Sequence, residues 1–239
     1  MNFFTFDGKS SVDFGVYIGG QQTYGAPARS VTKTQVPGRN GDVIRDNGRW
    51  MNVTIAYNVV VMDQFEERTR QLNAWLANTR GYKRLVDTYH PEYFRMAAFN
   101  NSIEYDTKSF NASGRTQIQF DCKPQKFLFS GEDPYVYTGS EGMIFNPTEF
   151  DSKPLIKMLC DTGGGSVTVN GCNIVFSESG IVVIDSELQD CYNNDGTVNL
   201  NNKVTLTNDK FPVLKPGKNV ITISSGVLEL GILGRWFEI

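Results

Sequence analysis

Apolar and polar positions alternate with a period of two along most of the chain, which predicts a mainly β protein. The clearest strand ends at Val61 and places a row of apolar side chains on one face, namely Met51, Val53, Ile55, Tyr57, Val59 and Val61. Asn52, Thr54 and Asn58 lie on the other face. Just before this strand, Asn47-Gly48 is a strong signal for a two-residue hairpin turn. Val43-Ile44 and Trp50-Met51 are therefore predicted to belong to two antiparallel strands that meet at this pair.

A single helix is predicted near residues 63–80, where the apolar period changes to that of an α-helix. Asp63 is the expected N-cap, with Glu66 as its capping-box partner, and Gly81 follows the predicted end. The face expected to pack on a sheet consists of Phe65, Thr69, Leu72 and Leu76, with Trp75 at its flank. We interpret Trp75 as a core residue rather than a ligand-stacking one.

Further strands are predicted after the helix, and a change in residue composition beyond them suggests a domain boundary. The predicted strands are 84–86, 93–99 and 116–122, the last with Ile118, Phe120 and Cys122 on one face. Pro124 is expected to end that strand because proline cannot donate to a ladder. Residues 129–147, rich in Gly, Ser and acidic residues, are the best linker candidate. We therefore predict an N-terminal β domain over 1–130 and a second domain over 131–229.

The second half predicts a β-sandwich, because short strands follow one another at close, regular intervals. These strands are 155–160, 166–169, 173–176, 181–184, 204–206, 220–223 and a last stretch over 230–239. Turns are expected at the glycine run 163–165, at Asn170-Gly171, at Ser179-Gly180 and at Pro216-Gly217.

Composition and charge exclude several classes of protein. The 239 residues include 23 Lys and Arg against 26 Asp and Glu, a net charge of −3, which argues against specific nucleic-acid binding as the main role. The one histidine, His90, lies in a short turn before Pro91. Most His-ligated metal sites are thereby excluded, and a single candidate remains for any His-dependent mechanism. No Gly-x-Ser-x-Gly nucleophile motif is present.

The cysteines and acidic loops do not predict a metal or redox site either. Cys122, Cys160, Cys172 and Cys191 form no Cys-x-x-Cys pair, and residues 1–7 lack the features of a signal peptide, so we expect reduced thiols. Residues 190–202 are rich in Asn and Asp but do not match a calcium loop, and a polar loop with Asx-turns is the better interpretation. No apolar run is long enough for a membrane span. We predict no catalytic site, no metal and no cofactor.

An ordered set of short motifs resembles the distal tail proteins of siphophages. The set comprises Phe4-Thr5-Phe6-Asp7-Gly8-Lys9-Ser10-Ser11 with Asp13-Phe14-Gly15-Val16, then 36–42, 93–97 and 118–124, and in the second half 146–148, 170–171, 184–187, 211–214, 216–219 and Arg235-Trp236. No single motif is specific, but their order covers nearly the whole chain.

The resemblance implies an N-terminal ring-forming domain, assembled as a homo-hexamer, and a C-terminal galectin-like β-sandwich. The strand 230–239 would return to complete the first domain. The ring would join the tail tube protein to a tail-tip hub protein of the tail-associated lysin type, and it would dock receptor-binding or other baseplate parts in the virion. The second half contains no histidine, so the sugar-binding set of true galectins has no counterpart here. A docking platform made in the host cytoplasm is therefore favoured over a sugar-binding or membrane-associated protein.

One loop is the candidate site in this interpretation. The composition of Pro37, Gly38, Arg39, Asn40, Gly41 and Asp42 suggests an exposed loop, which we expect at a subunit contact or in the ring lumen. Two alternatives remain. One is a carbohydrate-binding module of a phage or cell-wall-associated protein, which would also use exposed aromatic residues; the other is a hydrolase that works with carboxylates and no histidine.

Overall fold

The computed structural model describes residues 1–20, 25–108 and 113–239, and it divides into two compact units. The first unit contains residues 1–126 and Ile239, and the second contains residues 127–238. The described residues are mostly in β-strands, with one α-helix. The predicted fold class, mainly β with one helix, is confirmed.

The first unit is a large curved sheet that carries the helix. Its strands are β1 (Phe4–Phe6), β2 (Lys9–Ser10), β3 (Val16–Ile18), β4 (Arg29–Thr34), β5 (Val43–Trp50), β6 (Val53–Val61), β7 (Lys83–Asp87), β8 (Tyr93–Ala98), β9 (Asp106–Lys108) and β10 (Ser113–Leu128), and its helices are α1 (Phe65–Asn78) and the 3₁₀ turn Ser11–Phe14. The main sheet runs in the order β2-β1-β7-β8-β10-β6-β3, with β9 also paired to β10. Strands β4 and β5 form a separate two-stranded sheet.

Alternation places one face of this sheet in an aromatic core. Val53, Ile55, Tyr57, Val59 and Val61 of β6 are buried, whereas Asn52, Thr54 and Asn58 are exposed, as the period-two pattern predicts. Met51 differs from the prediction, because the strand begins only at Val53 and the Met51 side chain is 52% exposed. The Phe4 ring stacks on Tyr57 and on Trp75 at centroid distances of 5.4 and 6.0 Å.

Helix α1 covers this core with the face that the sequence predicts. Phe65, Thr69, Leu72, Trp75 and Leu76 are its buried residues, so the interpretation of Trp75 as a core residue is confirmed. The predicted cap is wrong. The N-cap is Gln64, whose φ is +46°, and no side chain caps the helix, so Asp63 and Glu66 do not form a capping box.

The second unit is a β-sandwich built from the rest of the chain. Its strands are β11 (Pro134–Tyr137), β12 (Glu141–Asn146), β13 (Leu155–Cys160), β14 (Gly165–Val169), β15 (Cys172–Phe176), β16 (Gly180–Asp185), β17 (Asp190–Tyr192), β18 (Val204–Leu206), β19 (Gly217–Ile223), β20 (Val227–Leu233) and β21 (Phe237–Glu238), with 3₁₀ turns at Phe129–Gly131, Asn201–Lys203 and Thr207–Asp209. Two five-stranded sheets run in the orders β11-β20-β13-β16-β17 and β12-β19-β14-β15-β18, and β21 pairs with β10.

The inward residues of these two sheets form a separate aliphatic core. It contains Ile144, Ile156, Met158, Val167, Ile174, Val182, Ile184, Ile221, Leu230 and Ile232 with Trp236. The predicted hairpin at Asn170-Gly171 is present, since Val169 pairs with Cys172 and both turn residues have positive φ. The two sheets form a sandwich because the apolar side chains of their inner faces pack against each other and are buried.

Two predictions about chain breaks differ from the structure, and a third agrees with it only for the last few residues. The segment 129–147 contains β11 and β12, the edge strands of the two sandwich sheets, so it is not a linker. Strand β10 continues past Pro124 to Leu128, and its pairing with β6 already ends at Cys122, so the proline interrupts no pairing with β6. Residues 230–233 lie in the second unit, where β20 pairs with β11 and β13, whereas β21 joins the large sheet through β10 and Ile239 groups with the first unit.

Candidate interaction surface

The candidate surface is the two-stranded sheet of β4 and β5, which we call the ribbon (residues 29–50). Thr32 pairs with Arg45, Lys33 with Ile44 and Thr34 with Val43. Of its two strands, only Ser30 is buried and Trp50 half-buried; every other residue is exposed. A single two-stranded ribbon is at best marginally stable in water. The exposed ribbon therefore has little stability of its own, and its side chains are available for contacts.

The hairpin predicted at Asn47-Gly48 is wrong, and these residues form an irregularity inside β5. The ladder shifts register between Arg29 and Val31, so that the segment 47–49 bulges against the partner strand. Gly48, at φ +70°, donates its N–H to the Asp46 carboxylate at 2.8 Å. The Asn47 amide donates to the Ser30 hydroxyl at 3.2 Å. The side-chain chemistry that suits a turn here stabilises a bulge instead.

The two faces of the ribbon differ in polarity, because cross-strand partners share a face. One face carries Val31 and Ile44, which are 38% and 62% exposed, beside Trp50, and their cross-strand partners Asp46 and Lys33 lie on the same face. The guanidinium of Arg29 lies 4.5 Å from the centre of the Trp50 ring and 3.0 Å from the Asp46 carboxylate. The other face is formed by Thr32, Thr34, Val43 and Arg45. We call the face with Val31, Ile44 and Trp50 the apolar face, because it has the larger exposed apolar side chains, although Lys33 and Asp46 also lie on it.

The loop predicted from composition forms the tip of this ribbon. All six residues from Pro37 to Asp42 are exposed. Gly38 and Gly41 both have φ +80°, which only glycine adopts without strain, and Arg39 donates its N–H to the Val36 carbonyl at 3.2 Å. The tip therefore has a defined turn, and its role at a subunit contact or in a lumen stays a prediction.

Charge is divided unevenly between the two units, which the net charge of −3 conceals. The second unit carries 14 Asp and Glu against 7 Lys and Arg, whereas the first carries 12 against 16. Within the first unit, the ribbon alone contributes five basic residues against two acidic ones. The ribbon is thus basic and partly apolar, whereas the second unit is acidic. This distribution favours a partner that presents an acidic surface to the ribbon.

The sole histidine has a structural place. Asp87 accepts the backbone N–H groups of Tyr89 and His90 at 2.9 and 3.0 Å and the Tyr57 hydroxyl at 2.7 Å. The His90 Nδ1 atom lies 3.6 Å from the same carboxylate. His90 is thereby fixed in the Asp87 turn.

The cysteines and the acidic loop also have structural surroundings that can be described among the residues that the structure covers. No cluster of three His, Cys, Asp or Glu side chains among them could hold a metal ion. The four cysteines are free thiols, as predicted, and burial raises the pKa of Cys122 to about 12. In the loop 190–202, the Asp195 and Asn199 side chains accept the N–H groups of Thr197 and Asn201 at 3.1 and 3.0 Å, which are the Asx-turns that the composition suggests. Within the described ranges, no helix is long and apolar enough to cross a membrane.

Comparison with known proteins shows what this fold is. No protein-family model matches the chain, and no curated protein sequence matches it. The crystal structure of the Dit protein of phage SPP1, described as a paradigm of the hub adsorption apparatus in phages that infect Gram-positive bacteria, is similar with a TM-score of 0.76 at 12% identity and covers 100% of both chains. A chain of the phage p2 baseplate, in its activated conformation with Sr, is similar with a TM-score of 0.52 at 10% identity over 97% of this chain and 98% of that chain. The chain therefore has the fold of the SPP1 Dit protein over its whole length, and the resemblance that the ordered motifs indicate is confirmed at the level of fold.

Proposed function

We propose that this chain is a structural virion protein that forms a hexameric ring at the distal end of a siphophage tail. The observation that carries the proposal is the full-length likeness to the SPP1 Dit protein, a hub component, because both units match in one alignment. The ring joins the tail tube protein to the tail-tip hub protein and docks baseplate or receptor-binding parts. The protein acts through its surfaces, without catalysis, and is made in the host cytoplasm before assembly.

The ribbon supports a ring because it needs a partner surface. Its apolar face is exposed in the isolated chain, and covering it in a neighbouring copy removes Val31 and Ile44 from water. Ring closure also pairs or covers strand edges that would otherwise promote aggregation. A stable ring requires interfaces of roughly 2,000 Å² or more. The ribbon supplies part of this area, and the second unit, which we regard as the galectin-like sandwich, docks further tail-tip parts.

The location of the protein in the virion tests this proposal directly. Gold-labelled antibodies raised against the isolated full-length chain are applied to intact particles and viewed by electron microscopy. Label is expected at the tail end distal to the capsid. Label along the tube or on the capsid would contradict the proposed position, and particles with intact tails but no chain by mass spectrometry would contradict a structural role.

The tip loop gives a second test in which the expected effect is modest. Replacing Arg39 and Asp42 together by alanine removes two exposed charges, so we expect the protein concentration at half-assembly to rise about two- to fivefold and its dependence on salt to weaken. Sedimentation velocity at low and high salt measures both quantities.

A matched double variant, Arg80→Ala with Glu92→Ala, removes one exposed charge of each sign outside the ribbon in the same unit. It should assemble like the unaltered protein. If the Arg39 and Asp42 variant behaves the same as this control in assembly, salt dependence and virion yield, the loop lies outside the contact and its proposed role fails.

A further inference from the structure

We propose that the second unit binds an anionic sugar unit, a polyhydroxyl ring that carries a phosphate or a carboxylate, in a pocket formed by three of its loops. The pocket has a volume of about 350 Å³. Its lining comes from Lys153, from the turn between β16 and β17, and from the segment between β18 and β19. These loops are separated by many residues in sequence. The sequence therefore gives no motif for the site, which the fold assembles.

The charged lining of the pocket consists of two ammonium groups and one carboxylate, that of Asp209. Lys153 and Lys210 contribute two ammonium groups in a unit that has only seven basic residues. The Lys153 ammonium lies 3.2 Å from Glu187, an exposed pair, while Lys210 makes no ion pair with any residue that the structure describes. Two ammonium groups against one carboxylate leave the lining with a net positive charge, which suits a phosphate or carboxylate.

A buried hydroxyl without a partner marks the same pocket. Ser186 is 2% exposed, and its Oγ atom has no hydrogen-bond partner among the described residues. Buried polar atoms in folded proteins nearly always have a partner, so the Ser186 hydroxyl has unused hydrogen-bonding capacity at the wall of the pocket. Gln189, beside it, adds an amide that can both donate and accept. Hydroxyl groups of a sugar match this pair.

The remaining lining is apolar and contains one aromatic ring. Phe211, Pro212 and Val213 line the pocket, and Phe211 also packs against the sandwich core. Sugars present their C–H face to such rings while their hydroxyl groups reach polar neighbours, since a ligand site combines apolar walls with a few placed polar groups. The volume falls in the range of roughly 300–1,000 Å³ that is typical of small-molecule pockets.

The loops are held in place without the ligand. Gln189 and Asp209 adopt left-handed backbone conformations, at φ +57° and +52°, which non-glycine residues seldom keep unless their surroundings fix them. The Asp185 carboxylate accepts the N–H groups of Glu187 and Leu188 at 2.9 and 3.1 Å and so fixes the turn that carries Gln189. A pocket whose walls are already ordered loses little entropy on binding.

This site is independent of the proposed ring, because it lies entirely in the second unit and uses none of the ribbon residues. It also does not use the sugar-binding residues of galectins, which the sequence lacks. A protein that fails to form a ring can still bind at this pocket. The two proposals therefore fail separately.

Ligand-observed saturation-transfer NMR on the full-length protein tests the proposal with four probes: glucose 1-phosphate, glucuronate, glucose and inorganic phosphate. We expect saturation transfer to glucose 1-phosphate, to glucuronate, or to both, and a much weaker transfer to glucose. Because inorganic phosphate carries no C–H protons, it is used as a competitor and should displace the bound probe poorly. A preference for glucose 1-phosphate identifies a phosphate as the natural anion, and a preference for glucuronate identifies a carboxylate.

The variants connect binding to the pocket. Lys153→Ala with Lys210→Ala should weaken affinity about tenfold, the effect of losing charge-assisted hydrogen bonds. Ser186→Ala should weaken it several-fold and leave the unfolding temperature unchanged, because its hydroxyl bonds to nothing in the free protein. The control Lys157→Ala with Lys218→Ala removes two exposed lysines elsewhere in the unit and should bind normally.

Three results would overturn the proposal. The first is no transfer to either anionic sugar at millimolar concentrations. The second is equal binding by the pocket variants and by the control. The third is displacement of glucose 1-phosphate by inorganic phosphate at equal concentration, which would reduce the site to a general anion site without sugar recognition.

Discussion

Asp185→Ala is expected to lower the free energy of unfolding of the second unit by about 2–4 kcal/mol. The Asp185 side chain is 3% exposed and forms two hydrogen bonds with the Arg235 guanidinium, at 2.7 and 2.9 Å. Removing one partner of a buried pair costs roughly 3–5 kcal/mol, because the other charge stays buried without compensation. Arg235 remains 29% exposed and can be partly hydrated, so the expected loss is somewhat smaller. Urea unfolding followed by fluorescence measures it.

The same pair predicts how stability depends on pH. Burial alone would raise the pKa of Asp185, but the hydrogen bonds from Arg235 and from the Leu188 and Glu187 N–H groups outweigh burial, and the pKa lies below its ordinary value. A carboxylate with a lowered pKa in the folded state stabilises the protein above its unfolded pKa, near 4, and this stabilisation is lost as the pH falls further. The unaltered protein should lose stability below about pH 4, and Asp185→Asn should show a flatter profile there.

Glu187→Gln is the matched control for Asp185. Its carboxylate pairs with Lys153 at 3.2 Å, but both side chains are about half exposed. Exposed pairs contribute at most about 1 kcal/mol. If Glu187→Gln and Asp185→Ala destabilise the protein equally, the Asp185–Arg235 pair does not fix the sandwich as described.

Ile44→Asp is expected to dissociate the ring while the chain stays folded. Ile44 is the most exposed apolar residue on the apolar face of the ribbon, at 62%. A carboxylate on this face must be desolvated when a neighbouring copy covers it, and the Lys33 ammonium opposite offsets only part of that cost. Since each ring contains the change at every interface, we expect assembly to weaken by at least a hundredfold. Circular dichroism should show an unchanged β signal.

Thr34→Asp separates the effect of the face from that of charge. Thr34 lies on the opposite face of the same ribbon and is also exposed. Both variants add one negative charge to the ribbon, so a loss of assembly that depends on charge alone would appear in both. The ring should survive Thr34→Asp. Loss of assembly in both variants, or in neither, would contradict an interface on the apolar face.

Local sequence patterns correctly predicted which faces of the regular strands and of the helix are buried. The alternation of β6 and of Ile118, Phe120 and Cys122 determined which side chains are buried, because period two is a property of the strand itself. The helical face of α1 followed from its period in the same way. These predictions needed no knowledge of the distant contacts that the chain makes.

Long-range pairing accounts for the predictions that differ. Asn47-Gly48 has the composition of a hairpin turn. Both residues nevertheless lie inside β5, which pairs with the preceding strand β4, and they form a bulge in that ladder. Pro124 would end β10 if β10 were still paired with β6 at that point. The pairing with β6 already ends at Cys122, so β10 continues through the proline. The segment 129–147 looked like a linker because edge strands are short and polar.

The candidate sites show the same division. Composition was enough to place the tip loop at the surface, whereas the two faces of the ribbon depend on its register. The pocket near Ser186 required three loops that only the folded sandwich brings together.

The mass of the assembled protein tests the ring most directly. Mass photometry of the purified full-length chain, combined with six-fold averaging of negative-stain images, gives the number of copies without any partner. We expect a closed species at six times the 26.8 kDa mass of one chain, with six-fold symmetry and a central opening. A strictly monomeric protein at micromolar concentration, or a closed assembly of another order, would contradict the hexameric ring.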